Sequence, residues 1–281
     1  MMTLVKQLLL YVLLVPCFST FATEVAGQDK GSRLQYAING EHRTDSFVSR
    51  DQYRHPRQTL EFFEVEADMS VVEIWPGQGW YTEILAPYLS RGVFYAAHFP
   101  AGVGVSFYDK YRRLFEEKLA RNPDIYGAVK ITDFDPKRAV LSVPDSSLDR
   151  VLTFRNVHNW LRTESEATAF ELFYRALKPG GILGVVEHRA QAKTDWNTMK
   201  DSGYMTEQYV IELAESAGFV LEARSEMNAN PKDNKRHPEG VWSLPPTLRG
   251  VTPGGYEARK FLAIGESDRM TLKFRKPDQN N

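Results

Sequence analysis

Three groups of residues in this sequence have the types and spacing to do chemistry. Glu73 ends an apolar run and is followed by Gly77-x-Gly79 in "EIWPGQGWYT". Two glycines there let backbone approach a ligand closely, and a helix start beyond them offers free N–H donors to an anion. His158 lies in "RNVHNW", just past a second apolar run, and an imidazole titrates in the range a general base needs. Glu187 and His188 end a third run, where they can pair as an acid–base unit or hold a substrate group. Neighbouring strand residues point to opposite faces, so at most one of the two faces a common cleft while the strand continues. Each feature has a plainer role open to it: a tight structural turn for the glycines, a capped strand end for His158, an ion pair with Arg189 for Glu187. His158, Glu187 and His188 are also metal-ligand types, but no H-x-x-x-H or comparable spacing supports a metal site, and none is expected. The absence of G-x-S-x-G argues against a serine hydrolase.

The elements that must position these residues alternate. "MSVVEI" reads as a strand, "WYTEILAPYL" as a helix that Pro87 keeps short, and "GVFYAAH" as a second strand. Ser106 opens a helix with a stripe of Tyr108, Tyr111, Phe115 and Leu119. "AVKITDF" and "LDRVLTF" follow as strands. A capping box of Thr163 and Glu166 then precedes a helix bearing Phe170, Phe173, Tyr174 and Leu177. "ILGVVEH" is the fifth strand, Thr206 starts the next helix, and "FVLEARSEM" and "MTLKFRK" are the last two strands. A stretch near 228–258, rich in Pro, Gly and charge, is a long loop suited to closing over a site. Its basic cluster Lys232, Lys235, Arg236 and His237 reads as solvated surface or as cover for an acidic substrate. The pattern predicts one α/β domain over 55–281: a mostly parallel seven-stranded sheet with helices on both faces and an antiparallel strand at its edge. Ligands bind such sheets beyond the carboxyl ends of the strands, where strand order reverses.

The N-terminus is different in kind. Lys6 precedes the apolar run "LLLYVLLVPCFSTFA", and Thr20-Phe21-Ala22 offers a small-residue cleavage pattern, so residues 1–22 read as a cleaved secretory signal. The run is shorter than the ~20 residues a membrane helix needs, so no stable membrane insertion is expected after cleavage, and the mature protein would be periplasmic or secreted. Residues 23–54 read as a polar leader and lid segment, with its last residues Tyr53 and Arg54, and His55 just beyond, as lid or packing residues. Cys17 is the single cysteine, so the mature chain has no disulfide, thiol nucleophile or zinc–thiolate site. With 35 basic and 36 acidic side chains, broad electrostatic capture of nucleic acid is not expected.

Taken in order, "EIWPGQG", "VPDSSLDRVLTFRNVHNW" and "ALKPGGILGVVEH" resemble the motifs of class I S-adenosylmethionine-dependent methyltransferases over about residues 55–225. "EIWPGQGWYTEILAPYL" and "IGESDRMTLKFRKP" look closer still to a group of exported predicted methyltransferases, in which the Trp belongs to the signature. The resemblance implies a Rossmann-like methyltransferase fold, S-adenosylmethionine as cofactor and an unidentified small-molecule methyl acceptor. It implies cofactor contacts at Glu73, Trp75, Gly77, Gly79, His98, Asp133, Phe134 and Asn156, with His158, Glu187 and His188 near the transferred methyl group. Two positions depart from the family pattern. Trp75 replaces the first glycine, and His98 stands where an acid usually binds the ribose hydroxyls. An imidazole makes one such hydrogen bond where a carboxylate makes two. Trp75, Trp80 and Tyr81 either face the sulfonium, at ~0.5–2 kcal/mol per cation–π contact, or pack on the sheet, the expected role for Trp80 and Tyr81. The alternative of a different class is a non-catalytic periplasmic binder of a nucleoside-like or aromatic ligand on the same scaffold.

Overall fold

Alternation along the apolar runs decides which face each strand residue serves. In the computed structural model, which describes residues 31–278, Val71 packs with Leu60, Phe63 and Leu85 on one side of the sheet. Its neighbour Val72 packs with Phe173, Leu183 and Leu272 on the other. Val151 and Leu152 divide the same way, as do Val185 and Val186. Strands buried on both faces read as continuous apolar sequence, which is how these runs appear.

The strands are β1 (Ser70–Ile74), β2 (Val93–His98), β3 (Lys130–Asp135), β4 (Val140–Leu141), β5 (Leu148–Phe154), β6 (Leu177–His188), β7 (Val220–Ser225) and β8 (Arg269–Arg275). They form one sheet in the order β4-β3-β2-β1-β5-β6-β8-β7. Pairing is parallel from β3 through β6 and antiparallel where β8 meets β6 and β7. The two-residue β4, added to the seven strands expected, pairs antiparallel with β3 and is the antiparallel strand at one edge, while the reversed β8 lies one place in from the other. Strand order reverses between β1 and β5, so their carboxyl ends, Ile74 and Phe154, flank the crevice where such sheets bind ligands.

The helix Thr82–Tyr88 contains Pro87 and spans only seven residues. Thr206 caps Glu207–Ser216 through the Tyr209 N–H. The box expected between Thr163 and Glu166 does not form. Ser165 is the N-cap, Thr163 Oγ1 donates to the Trp160 carbonyl, and Glu166 accepts from the Tyr209 hydroxyl instead.

The chain before β1 is more ordered than a polar leader. Residues 31–38 are helical, and Leu34, Ala37 and Ile38, spaced along one face, are buried with Phe47 against Trp80, Ile84 and Leu85. The long loop also has structure. Asp233 anchors it, accepting from the Tyr204 hydroxyl at 2.9 Å, the Asp268 N–H at 2.8 Å and His237 Nε2 at 2.8 Å. A helix, Tyr256–Ile264, leads from it into β8. Lys235 is paired to Asp268 at 2.8 Å, while Lys232 and Arg236 are exposed, so the basic cluster faces solvent or its own fold. The expected export signal and Cys17 lie outside the described residues; among those described, no helix is long and apolar enough to cross a membrane.

Candidate active site

A cavity of about 590 Å³ opens at the switch point. Its floor is Glu73 at the end of β1 and the loop after it, including Trp75, Gly77 and Gln78. One wall comes from the end of β5 with Arg155, Asn156 and His158, and from His188 at the end of β6. Cover comes from Phe47, Arg50 and Arg54 on the N-terminal side and from Trp242, Pro245 and Pro246 of the long loop.

The floor is fixed locally. Gly77 has φ +61°, and a side chain there would meet nothing within 4 Å, so the backbone borders open space. Gly79, at φ +83°, is pressed between Phe115 and Thr82 and does not line the cavity. Glu73 shares the face of Val71, which turns it towards the helix Thr82–Tyr88, and it accepts the Thr82 hydroxyl at 2.6 Å. Burial pushes its carboxyl up to about 7, against the lowering effects of Thr82, Lys118 and Arg54. Asn156 donates its amide to the Ile74 carbonyl at 2.8 Å and to Thr153 Oγ1, locking the ends of β1 and β5 together.

His158 and His188 face the cavity with their Nδ1 atoms already engaged. Glu187, fully buried, accepts from His158 Nδ1 at 3.0 Å and from the backbone N–H groups of His158 and His188. His188 Nδ1 shares a 2.5 Å hydrogen bond with Ser267 Oγ. Each ring therefore leaves Nε2 for a cavity occupant, with its orientation set from behind. Burial, with His158, Arg269, Arg155 and Arg54 nearby, drives the His188 pKa well below the ordinary imidazole value, so this ring is neutral at pH 7. Ligand atoms of His158, Glu187 and His188 lie within 4.8 Å of one another. The Glu187 oxygens are committed to three donors, however, and the arginines around His188 disfavour a dication.

Trp75 sits at φ 45°, a left-handed conformation that favours glycine. Its Nε1 donates to the Phe134 carbonyl at 3.0 Å. Its ring meets Phe99 at 4.8 Å, Phe134 at 5.6 Å and Trp160 at 5.8 Å between centroids. The ring is half-buried and still lines the cavity. Trp80 and Tyr81 are buried in the core facing the N-terminal segment and show only an edge to the cavity. Arg54 and Arg43 lie over Trp80, and Tyr81 stacks on Phe154 at 3.6 Å.

Besides Gly79, three of the expected cofactor contacts lie elsewhere. His98 is fully buried against Phe115, accepts the Phe99 N–H on Nδ1 and reaches the Gly77 carbonyl with Nε2 at 3.3 Å. Burial lowers its pKa to about 4, although the Gly77 carbonyl acts to raise it. Asp133 is paired to Arg112 at 2.8 Å, and Phe134 is a core residue. None of the three lines the cavity. Sequence reasoning in turn missed Arg50, Arg155 and Trp242. A lone arginine or tryptophan between an apolar run and a loop carries no pattern to single it out.

No protein-family model and no curated protein matches the sequence. Solved structures do match in fold. A SAM-dependent methyltransferase from Aquifex aeolicus is 14% identical and superposes with a TM-score of 0.54 over 88% of this chain and 98% of its own. A SAM-dependent methyltransferase from Methanosarcina mazei is 14% identical, with a TM-score of 0.51 over 78% and 98%. The cyclase SpnF is 16% identical, with a TM-score of 0.55 over 90% and 95%. The chain thus has the Rossmann-like methyltransferase fold. Because a cyclase shares it, the fold alone does not fix the reaction.

Proposed function

We propose that this protein is an S-adenosylmethionine-dependent methyltransferase acting on a small molecule, exported by a cleaved signal at residues 1–22. The observation that carries the activity is the cavity at the switch point, floored by the Glu73–Gln78 loop and walled by Asn156 and His158. The residues present fit the cofactor at its methionine end, where Gly77 leaves open space and Glu73 and Asn156 are fixed in the lining. For the nucleoside, Trp75 offers a half-buried ring in the lining, whereas His98, Asp133 and Phe134 are engaged elsewhere.

When bound, S-adenosylmethionine would supply a methyl group activated by its sulfonium for transfer to the acceptor's nucleophile. The protein's share is alignment and exclusion of water. The Trp242–Pro246 segment covers the cavity. His158, held by Glu187, has Nε2 free to take a proton from an acceptor that arrives protonated. Neutral His188 can accept or donate one further hydrogen bond there.

Calorimetric titration of the chain starting at Thr23, first with S-adenosylmethionine and then with S-adenosylhomocysteine, tests the reading. Micromolar binding supports it. A folded chain that binds neither at millimolar concentration refutes it and favours the non-catalytic binder, whose ligand would be sought in the purified protein. N-terminal sequencing of protein recovered from the periplasm tests export: a mature chain beginning at Thr23 is expected, and an intact Met1 start in the cytosol would overturn it.

A further inference from the structure

Guanidinium groups crowd one wall of the cavity without carboxylates to match them. Arg50, Arg54 and Arg155 line it, and Arg269 stands behind, sharing a small side opening with Arg54 and Arg155. Glu266 is the carboxylate set among them, accepting from Arg50 Nε at 2.5 Å, from Arg54 Nε at 3.2 Å and from Arg269 Nη2. Burial pushes that carboxyl up, but the arginines together hold it well below the usual carboxylate range, so it is ionised and fully engaged. Donors are nevertheless left over. Arg50 Nη2, Arg54 Nη2 and Arg269 Nε are buried with no hydrogen-bond partner among the described residues, and Arg54 is only 3% exposed. The Arg155 guanidinium makes no hydrogen bond or ion pair with any described residue. Buried polar groups in folded proteins are nearly always satisfied, so this many free donors on one wall marks a place for an acceptor from outside the chain.

The other nearby carboxylates do not supply the balance. Glu187 serves His158 and two backbone N–H groups, and Glu73, on the floor, is engaged by the Thr82 hydroxyl. The cofactor of the proposed function does not supply it either. The carboxylate of S-adenosylmethionine is offset by its own ammonium, and the sulfonium leaves the molecule positively charged. Adding it to this cavity increases the excess. At the cover, Arg162 and Arg249 flank Trp242 at 5.2 and 4.9 Å from its ring, so the positive field extends to the long loop.

We propose that the methyl acceptor carries a small oxyanion, a carboxylate or a phosphate, seated on Arg50, Arg54 and Arg155. This deepens the methyltransferase reading and rests on it. Planar guanidiniums match both oxyanions in bidentate fashion. An acceptor held there lies in the same cavity as the Gly77 loop and the Nε2 atoms of His158 and His188, so its nucleophile can reach both.

The test uses the mature chain and two probes, inorganic phosphate and malonate, each titrated by calorimetry at low chloride, alone and with S-adenosylmethionine. A saturable site for at least one probe is expected, and the preferred probe tells phosphate from carboxylate. Arg155→Gln should weaken that binding at least tenfold, and Arg155→Lys should weaken it less. Arg50→Gln provides a second variant should Arg155→Gln lose its fold, as judged by its melting temperature. Cofactor affinity should be unchanged or improved by the probe. Absence of saturable binding, or binding unaffected in both Gln variants, overturns the proposal. So does competition between probe and S-adenosylmethionine, which would put the cofactor's own carboxylate on the arginines. The two readings fail separately. Probe binding without cofactor binding removes the methyltransferase and keeps the oxyanion site, and the reverse removes the oxyanion site alone.

Discussion

Replacing Trp75 with glycine separates two roles its ring can play, as a surface for the cofactor or as a stopper in its place. The side chain is half-buried among Phe99, Phe134 and Trp160. Truncating a fully buried tryptophan costs about 3–5 kcal/mol, so half of that, about 2, is the packing loss here. The hydrogen bond to the Phe134 carbonyl adds roughly 1 kcal/mol. Glycine at φ 45° returns about 1 kcal/mol by removing a Cβ from left-handed backbone. The net loss, about 2 kcal/mol, is read from denaturant midpoints and leaves a folded protein of ordinary stability marginal but native. For ligand binding, the loss of one aromatic face is worth about 1 kcal/mol. Calorimetry should therefore show S-adenosylmethionine binding about fivefold weaker in Trp75→Gly. Binding that tightens tenfold would refute this reasoning, because it would mean that the ring stands where the nucleoside belongs.

His158→Ala should reduce turnover by roughly 10²–10⁴-fold while cofactor affinity holds; unaltered turnover with a protonated acceptor would remove the base role. Glu73 keeps its proton to about pH 7 in the folded chain but only to about 4.5 when unfolded. The native state thus binds more protons between those values, and stability is lost as pH rises through them, by roughly 3 kcal/mol for this group. Glu73→Gln should accordingly be more stable than the parent at pH 8, an advantage that shrinks by pH 5 in urea titrations. His98 has the opposite sign: its folded pKa of about 4 lies below the unfolded value near 6.5, so stability falls as pH drops through that window, and His98→Gln should flatten the loss. Gly77→Ala adds a Cβ to open space and should fold at a penalty of about 1 kcal/mol yet bind cofactor poorly. In Gly79→Ala the Cβ meets Phe115 at 3.1 Å, so its melting temperature should fall further.

Much of the fold could be read because its strands are buried on both faces and announce themselves as unbroken apolar runs, with helices between them whose stripes repeat at 3.6 residues. Placing the site residues required knowing where each side chain points. His98 shares its face of β2 with Ala96, beneath the helix that carries Phe115, so it is sealed in the core and does not face the cavity. Phe134 is drawn under Phe173 by the same kind of parity. The alternation argument for Glu187 and His188 agrees with the geometry, where only His188 lines the cavity. The arginine wall was illegible for another reason. Its members come from three separate stretches, around 50–54, 155 and 266–269, and no local pattern links them.

The Arg50–Glu266 ion pair joins residues 216 positions apart, and this has a consequence for timing. A ribosome making this chain completes the glycine loop early, but the carboxylate that fastens the N-terminal cover arrives with the last strand. A nascent or truncated chain therefore has the glycine loop without a closed chamber. Closure of the chamber is deferred until synthesis is almost finished, so chains shortened before Glu266 should hold any ligand of this cavity more weakly than the full chain.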